Sequence, residues 1–236
     1  MTKWRLGAAL AMSAALLAAC SDDDDDITDP EPGVASVRVV HAAGAAPGVL
    51  NVNVDDQSGA TNVLFGNAAE RFDVEEGDWT FSVISPEGEE PVTLFDTTRT
   101  LVEDERLSFF IVGDTDAFSS MILADDPTLP DAGNFRMRVV HASPNSGPVD
   151  VYITEPDAEL ADAVAVVENA AYGDAATPAE MAGGTYQVRI VASGTEDVLV
   201  DLGTMDIPVD GIRSLVITDP QAGGSAPAHA FMLSDN

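Results

Sequence analysis

The chain reads as an all-β protein made of two tandem β-sandwich domains. Three observations carry that reading. Arg38-Val39-Val40-His41-Ala42 returns as Arg138-Val139-Val140-His141-Ala142, an offset of 100 residues, and a fixed internal period marks a duplicated architecture. Each copy is followed by a turn of Gly, Pro and small residues. An alternating run comes next, Leu50-Asn51-Val52-Asn53-Val54 in the first copy and Val149-Asp150-Val151-Tyr152-Ile153 in the second. Alternation with a period of two belongs to a strand with one buried face. Further short β-branched and aromatic runs recur with turn residues between them, which is the spacing of a sandwich.

Composition narrows the function classes. The chain carries 41 acidic against 10 basic residues, and 45% of it is hydrophobic. So much apolar, β-branched sequence argues for a folded protein with a carboxylated surface, not for acidic disorder. Nucleic-acid binding needs a basic footprint that is missing here, and docking of the folded domains on anionic lipid is disfavoured for the same reason. Removal of everything before Cys20 would leave 8 basic residues, all arginine, against 41 acidic ones, a balance of −33. Such a surface repels itself at low ionic strength and is relieved by salt. A saline habitat accounts for it, as does an ordinary acidic extracytoplasmic setting.

Taken in order, residues 1–19 form an export signal. Lys3 and Arg5 make a positive start, and Leu6 to Ala19 is apolar but too short to span a bilayer as a helix. Leu17-Ala18-Ala19-Cys20 resembles the lipobox of bacterial lipoproteins. That resemblance implies cleavage before Cys20, acylation of its thiol and of the new N-terminus, and firm membrane attachment through several chains. Cys20 is the single cysteine, so no disulfide framework exists. Residues 20–33 form the lipidated cysteine and an acidic tether. Asp22 to Asp26 cannot pack, and Pro30 and Pro32 keep the chain extended. Ser21 resembles the outer-membrane sorting signal of proteobacterial lipoproteins. Cys-Ser followed by Asp also resembles the surface-export tag of some Bacteroidetes lipoproteins, against the plainer reading of a solvated spacer.

Residues 34–126 form the first sandwich. Strands are expected at Val37–Ala42, Leu50–Val54, Asn62–Phe65, Arg71–Val74, Trp79–Val83, Val92–Phe95, Leu107–Val112 and Met121–Leu123. Residues 127–134, with Pro127 and Pro130, form a semi-rigid linker. Residues 135–236 repeat the plan. Gly184-Thr185-Tyr186 answers Gly77-Asp78-Trp79, Ser214-Leu215-Val216-Ile217 answers Ser108-Phe109-Phe110-Ile111, and Phe231-Met232-Leu233 answers Met121-Ile122-Leu123. Ala158 to Ala171 has room for one helical turn, and its Asn169-Ala170-Ala171 is matched to Asn67-Ala68-Ala69.

Arg138-Val139-Val140-His141-Ala142-Ser143-Pro144 with Pro148-Val149-Asp150-Val151-Tyr152 resembles a bacterial domain of unknown function typified by those two segments. The first copy departs from it, with Ala43-Gly44 in place of Ser-Pro and Asn51 in place of Asp. The resemblance implies an immunoglobulin-like sandwich, found in exported proteins and often in tandem, with no activity attached.

The repeated residues are the first candidates for chemistry. Alternation turns Val39, His41, Val139 and His141 inward and Arg38 and Arg138 toward water. A histidine at a strand end can bond the following turn, with Asp150 a candidate partner for His141. A catalytic or metal role would need further ligands at workable spacing, and no such cluster is seen. Asp55-Asp56, Asp114-Thr115-Asp116 and Asp125-Asp126 lack the Gly and terminal Glu of a calcium loop. The sequence also has no Gly-x-Ser-x-Gly, His-Glu-x-x-His, P-loop or dinucleotide fingerprint. Trp79 and Tyr186 are read as core anchors. No cofactor is called for, and no oligomeric state is assigned.

The expectation is a lipid-anchored envelope protein, periplasmic or surface-facing at the outer membrane, acting as a non-enzymatic binding, adhesion or scaffold module. Its ligand would be an envelope polymer or a protein, held by end loops. Two alternatives stand beside it: an envelope-polymer hydrolase, with perturbed carboxylates or His141 in a concave pocket, and a cation-binding spacer, with Asp gathered at the domain junction. Ligand-reading residues should break the repeat. The copies differ at Gly44 to Gly48 against Asn145 to Gly147, and between Ala158 and Ala179.

Overall fold

The computed structural model describes residues 32–115 and 117–235, so the expected signal peptide, Cys20 and most of the tether lie outside the described residues. The first half contains β1 (Val34–His41), β2 (Val49–Val54), β3 (Gln57–Leu64), β4 (Phe72–Glu75), β5 (Gly77–Ser85), β6 (Val92–Leu101), β7 (Arg106–Asp114) and β8 (Ala117–Ala124). The second half contains β9 (Asn134–His141), β10 (Val149–Thr154), β11 (Val167–Ala170), β12 (Ala175–Ala176), β13 (Met181–Ala182), β14 (Gly184–Ala192), β15 (Val198–Ile207), β16 (Gly211–Thr218) and β17 (His229–Ser234). The helical turn anticipated near residue 160 is a single 3-10 turn, Leu160–Asp162.

Each half is a β-sandwich of two sheets. In the first, β4-β1-β7-β8 faces β3-β2-β5-β6; in the second, β12-β9-β16-β17 faces β11-β10-β14-β15, with β13 also pairing β9. In the first half β1 runs parallel to β7, with Val39 opposite Phe109, and in the second β9 runs parallel to β16, with Val139 opposite Leu215. Lettered in chain order, with the short β12 and β13 taken together as D, the sheets of each half are D-A-G-H and C-B-E-F. An immunoglobulin constant-type domain has A-B-E-D and C-F-G, so the sandwich is shared with that class while the strand order differs. The inward positions of each half make its own core. Val39, Leu50, Val52, Phe81, Val83 and Phe109 lie in the first, where Phe81 and Phe109 stack at 5.2 Å. Val139, Val149, Val151, Ile190 and Leu215 lie in the second.

The two halves are pressed together along a third cluster, the seam. Val40, Ala42, Phe110 and Val112 from the first half meet Val140, Ala142 and Val216 from the second, flanked by Met121, Leu123, Phe231 and Leu233. This explains why the repeated motif reads Val-Val rather than alternating with polar residues. Along β1, Val37 and Val39 enter the half's own core while Val40 and Ala42 enter the seam. A strand buried on both faces becomes continuously apolar. Each fully buried Val or Phe adds roughly 1.5–3 kcal/mol, so the seam is a second hydrophobic core that sets how the halves sit.

Several sequence expectations need correction. β6 and β15 are ten residues each, longer than expected from Val92–Phe95. They are edge strands whose many exposed Thr, Asp and Arg positions conceal the alternation. The match of Asn169 to Asn67 is out of register. Val40 bridges Ala68 and Val140 pairs Ala175, so Ala68 corresponds to Ala175. Asn169 corresponds instead to Asn62, and both adopt left-handed backbone, φ 50° and 55°.

Candidate functional site

The solvent-facing reading of Arg38 and Arg138 does not hold, because the face opposite the core is the seam. Arg38 is 4% exposed. Its Nε donates to Ser108 Oγ at 3.0 Å, and its guanidinium reaches across to Asp235 Oδ1 at 2.8 Å and to Ser234 O at 3.1 Å. Arg138 does the same in reverse, with Nε to Ser214 Oγ at 3.1 Å and a terminal nitrogen to Asp125 Oδ1 at 2.8 Å. Each serine in turn donates to the aspartate at the end of its own half: Ser108 to Asp125 at 2.7 Å and Ser214 to Asp235 at 2.7 Å. The result is a crossed, two-fold-like lock in which each half's arginine holds an aspartate at the end of the other half. Arg71 also donates to Asp125, and Arg138 lies 5.7 Å from the centre of the Phe110 ring. Burial raises the Asp125 carboxyl, but bonds from Arg71 and Ser108 and the charges of Arg138 and Arg71 outweigh it and hold Asp125 below the usual carboxylate range. A recess of about 220 Å³ beside this lock is lined by Arg106, Arg136, Arg138, Asp125, Asp126 and Asp235. Asp therefore does gather at this end of the junction, but Asp125, Asp126 and Asp235 are each paired with arginine.

The histidines organise turns. His41 Nε2 donates to Pro47 O at 2.8 Å and His141 Nε2 to Gly147 O at 2.9 Å. His141 Nδ1 accepts the Ser143 N–H at 3.3 Å, so the bonding pattern assigns the neutral Nε2–H tautomer. Burial pushes the His41 imidazole down, only partly offset by its bond to Pro47. Asp150 is not the partner of His141. It accepts Asn169 N at 2.7 Å and Gly194 N at 3.1 Å. The first half repeats this with Asn51, whose Oδ1 accepts Asn62 N at 2.8 Å. The Asp-for-Asn difference between the copies is thus a change of charge at one structural job, stapling a left-handed asparagine where the register of β2–β3 and β10–β11 slips. Trp79 Nε1 donates to Glu75 O and Tyr186 Oη to Ala182 O, both at 2.8 Å, closing equivalent turns from partly buried positions.

At the other end of the seam the loops after β1 and β9 meet the loops after β7 and β16. Here lies a cleft of about 380 Å³, lined from the first half by Ala45, Asp114 and Thr115 and from the second by Asn145 and the loop Asp219–Gly224 with Ala226 and Pro227. Asn145 is its polar centre. Its Nδ2 donates to Asp114 Oδ2 at 3.1 Å and to Asp219 Oδ2 at 2.7 Å, linking a carboxylate of each half. Asp219 also accepts the Ser143 hydroxyl and the Asn145 N–H. Bonds from Asn145 and Thr115 hold the Asp114 carboxyl below its ordinary value. Gly44 is required beneath the cleft, because a Cβ there would fall 2.4 Å from Asp219 O and 2.5 Å from Pro220 O, and Gly44 O accepts Ala222 N at 2.9 Å.

Of the segments singled out for breaking the repeat, Gly44–Gly48 and Asn145–Gly147 come together around this cleft. His41 and His141 hold the two turns that bring them there. Ala158–Ala179 does not line it; Ala158 instead accepts from Arg189, which also bonds Thr154. The β16–β17 loop was missed. Its signal was in the spacing: Phe231 follows Ile217 by 14 residues, whereas Met121 follows Ile111 by 10.

The model of the family described as "Domain of unknown function (DUF4397)" matches residues 35–152, from β1 through the first half into β10. No curated protein matches the chain. Among solved structures, the chain is similar to a streptococcal virulence factor that binds α-glucan, at 11% identity over 78% of this chain and 92% of that one, TM-score 0.27. It is similar to the Bacillus anthracis TIE protein at 11% identity over 79% of this chain and 33% of that one, TM-score 0.23. A candidate cell-adhesion protein from Bacteroides fragilis aligns at 8% identity over 95% of this chain and 92% of that one, TM-score 0.23.

Proposed function

Starting from a chain that belongs to the DUF4397 family of domains of unknown function, we propose that it is an exported, lipid-anchored envelope protein that works without catalysis. It holds an envelope polymer or a protein in the cleft where its two halves meet. The observation that carries this reading is the cleft itself: it exists only because both halves are joined, and it is lined by the loops that break the repeat. Recognition belongs in such loops on a rigid scaffold. The direction of β1 supports it further. The tether enters at Val34, beside the lock, and β1 runs eight residues toward the loops of the cleft, roughly 25 Å at about 3.3 Å per residue. For a protein anchored through Cys20, the cleft lies at the end of β1 opposite to the one the tether joins. The outer membrane is the proposed site, from Ser21 after the lipobox cysteine.

The test is chemical cross-linking of the native anchored protein on whole cells, followed by capture. Wild type should retain a partner that Ala226→Trp, which fills the cleft from an exposed position, does not. Equal capture by both would remove the cleft from the proposal. Cys20→Ser should move the protein to the soluble fraction, and persistent membrane association with the signal removed would refute the anchor.

A further inference from the structure

We propose that the cleft is built for a cationic side chain, a lysine or arginine presented by a basic polypeptide segment; this rests on the cleft being the binding site. The lining offers acceptors and no cation. Asp114 stands on one wall and Asp219 on the other, and no Lys, Arg or His lies between them. Asp114 Oδ1 is used by Thr115, and Asp219 Oδ1 by Ser143 and Asn145 N, but among the described residues each Oδ2 accepts only from the Asn145 amide. A carboxylate oxygen has room for two bonds, so the two Oδ2 atoms flank Asn145 with one acceptor site each still open. Asn145 Oδ1 is a third acceptor beside them.

Apart from the neutral polar Thr115 and Gln221, the rest of the lining is small or apolar, Ala45, Pro220, Ala222, Ala226 and Pro227 with two glycines, and it fits the methylene stem of a long basic side chain while its head reaches the acceptors. Asn145 acts as a positioning residue: by bonding both carboxylates it fixes their separation before the ligand arrives, which removes an ordering cost from binding. An anionic ligand would face two carboxylates with no counter-charge. The surface around the cleft adds to the effect, since a chain with 41 acidic residues attracts a basic segment from a distance. A neutral oligosaccharide is the competing occupant. It needs acceptors too, but it gains nothing from the charge, and the lining has no aromatic ring for its faces.

The experiment uses the full lipid-anchored protein in detergent. The probes are a fluorescent Gly-Gly-Lys-Gly-Gly peptide, the same peptide with its lysine acetylated, and a neutral maltooligosaccharide. The lysine peptide should bind saturably and weaken with added salt, while the acetylated peptide and the sugar should not bind. Ala226→Trp changes no charge and should abolish binding. Asp114→Asn, at a partly exposed position outside both cores, should weaken it about tenfold, the equivalent of one charge-assisted bond. If the lysine peptide binds Ala226→Trp as well as wild type, the attraction is the bulk charge of the surface and the inference fails. If cells show a partner lost in Ala226→Trp but indifferent to Asp114→Asn and to salt, the cleft stands as the binding site and the cationic occupant is ruled out.

Discussion

Asp125→Ala removes the carboxylate on which the lock converges. Asp125 is 7% exposed at the side chain and accepts from Arg71, Ser108 and Arg138. Deleting one partner of a buried ion pair costs about 3–5 kcal/mol, because the other charge is left buried. Here Arg71 would retain the carbonyls of Ser36 and Leu107, at 3.3 and 3.0 Å, and Arg138 the more distant Asp235 at 3.7 Å. The loss should therefore sit at the low end, about 3 kcal/mol, or a fall in Tm of about 6–12 °C at roughly 2–4 °C per kcal/mol for a protein of this size. Urea denaturation followed by circular dichroism measures it, with an unchanged m-value if the folded state keeps its compactness. The same carboxylate makes an acid-side prediction. Its folded pKa lies below the unfolded one, so its contribution is complete above the ordinary carboxylate range and is lost as pH falls through the lower folded value. Wild type should lose its advantage over Asp125→Ala in that acid window. A loss under about 1 kcal/mol at neutral pH, or parallel acid profiles, would refute the claim that the lock joins the halves.

Other outcomes follow from the same contacts. His141→Ala strands Gly147 O and the Ser143 N–H and should cost about 1–3 kcal/mol, with any binding defect tracking stability; intact stability with abolished binding would make His141 a contact residue instead. Gly44→Val drives a side chain into the carbonyls of Asp219 and Pro220, so it should lower stability by about 1–3 kcal/mol and weaken cleft binding, both read in one titration and melt. Burial holds His41 neutral, so stability should begin to fall as pH drops below about 6.5, and this component should vanish in His41→Gln. With a net charge of −31, Tm should rise with sodium chloride mostly below molar salt, where the Debye length shrinks from about 30 Å at 0.01 M to about 3 Å at 1 M; a flat curve would show the charges too dispersed to matter.

The duplication, the all-β class and most strands are legible in the chain alone, because these are local. A period of two needs only neighbours along one strand, and the repeat of Arg38 to Ala42 at Arg138 to Ala142 needs only the chain laid beside itself. It also pointed to the turns held by His41 and His141 and to two of the loops that break the repeat. What the repeated arginines do is set by the packing of the two halves. Alternation places Arg38 and Val40 on the face away from the core, but whether that face meets water or another sheet depends on a partner about 100 residues away, which no local pattern encodes. The same holds for Arg38 with Asp235, 197 residues on, and for the cleft, whose two carboxylates, Asp114 and Asp219, stand far apart in the chain and meet across Asn145 only when the apolar seam closes.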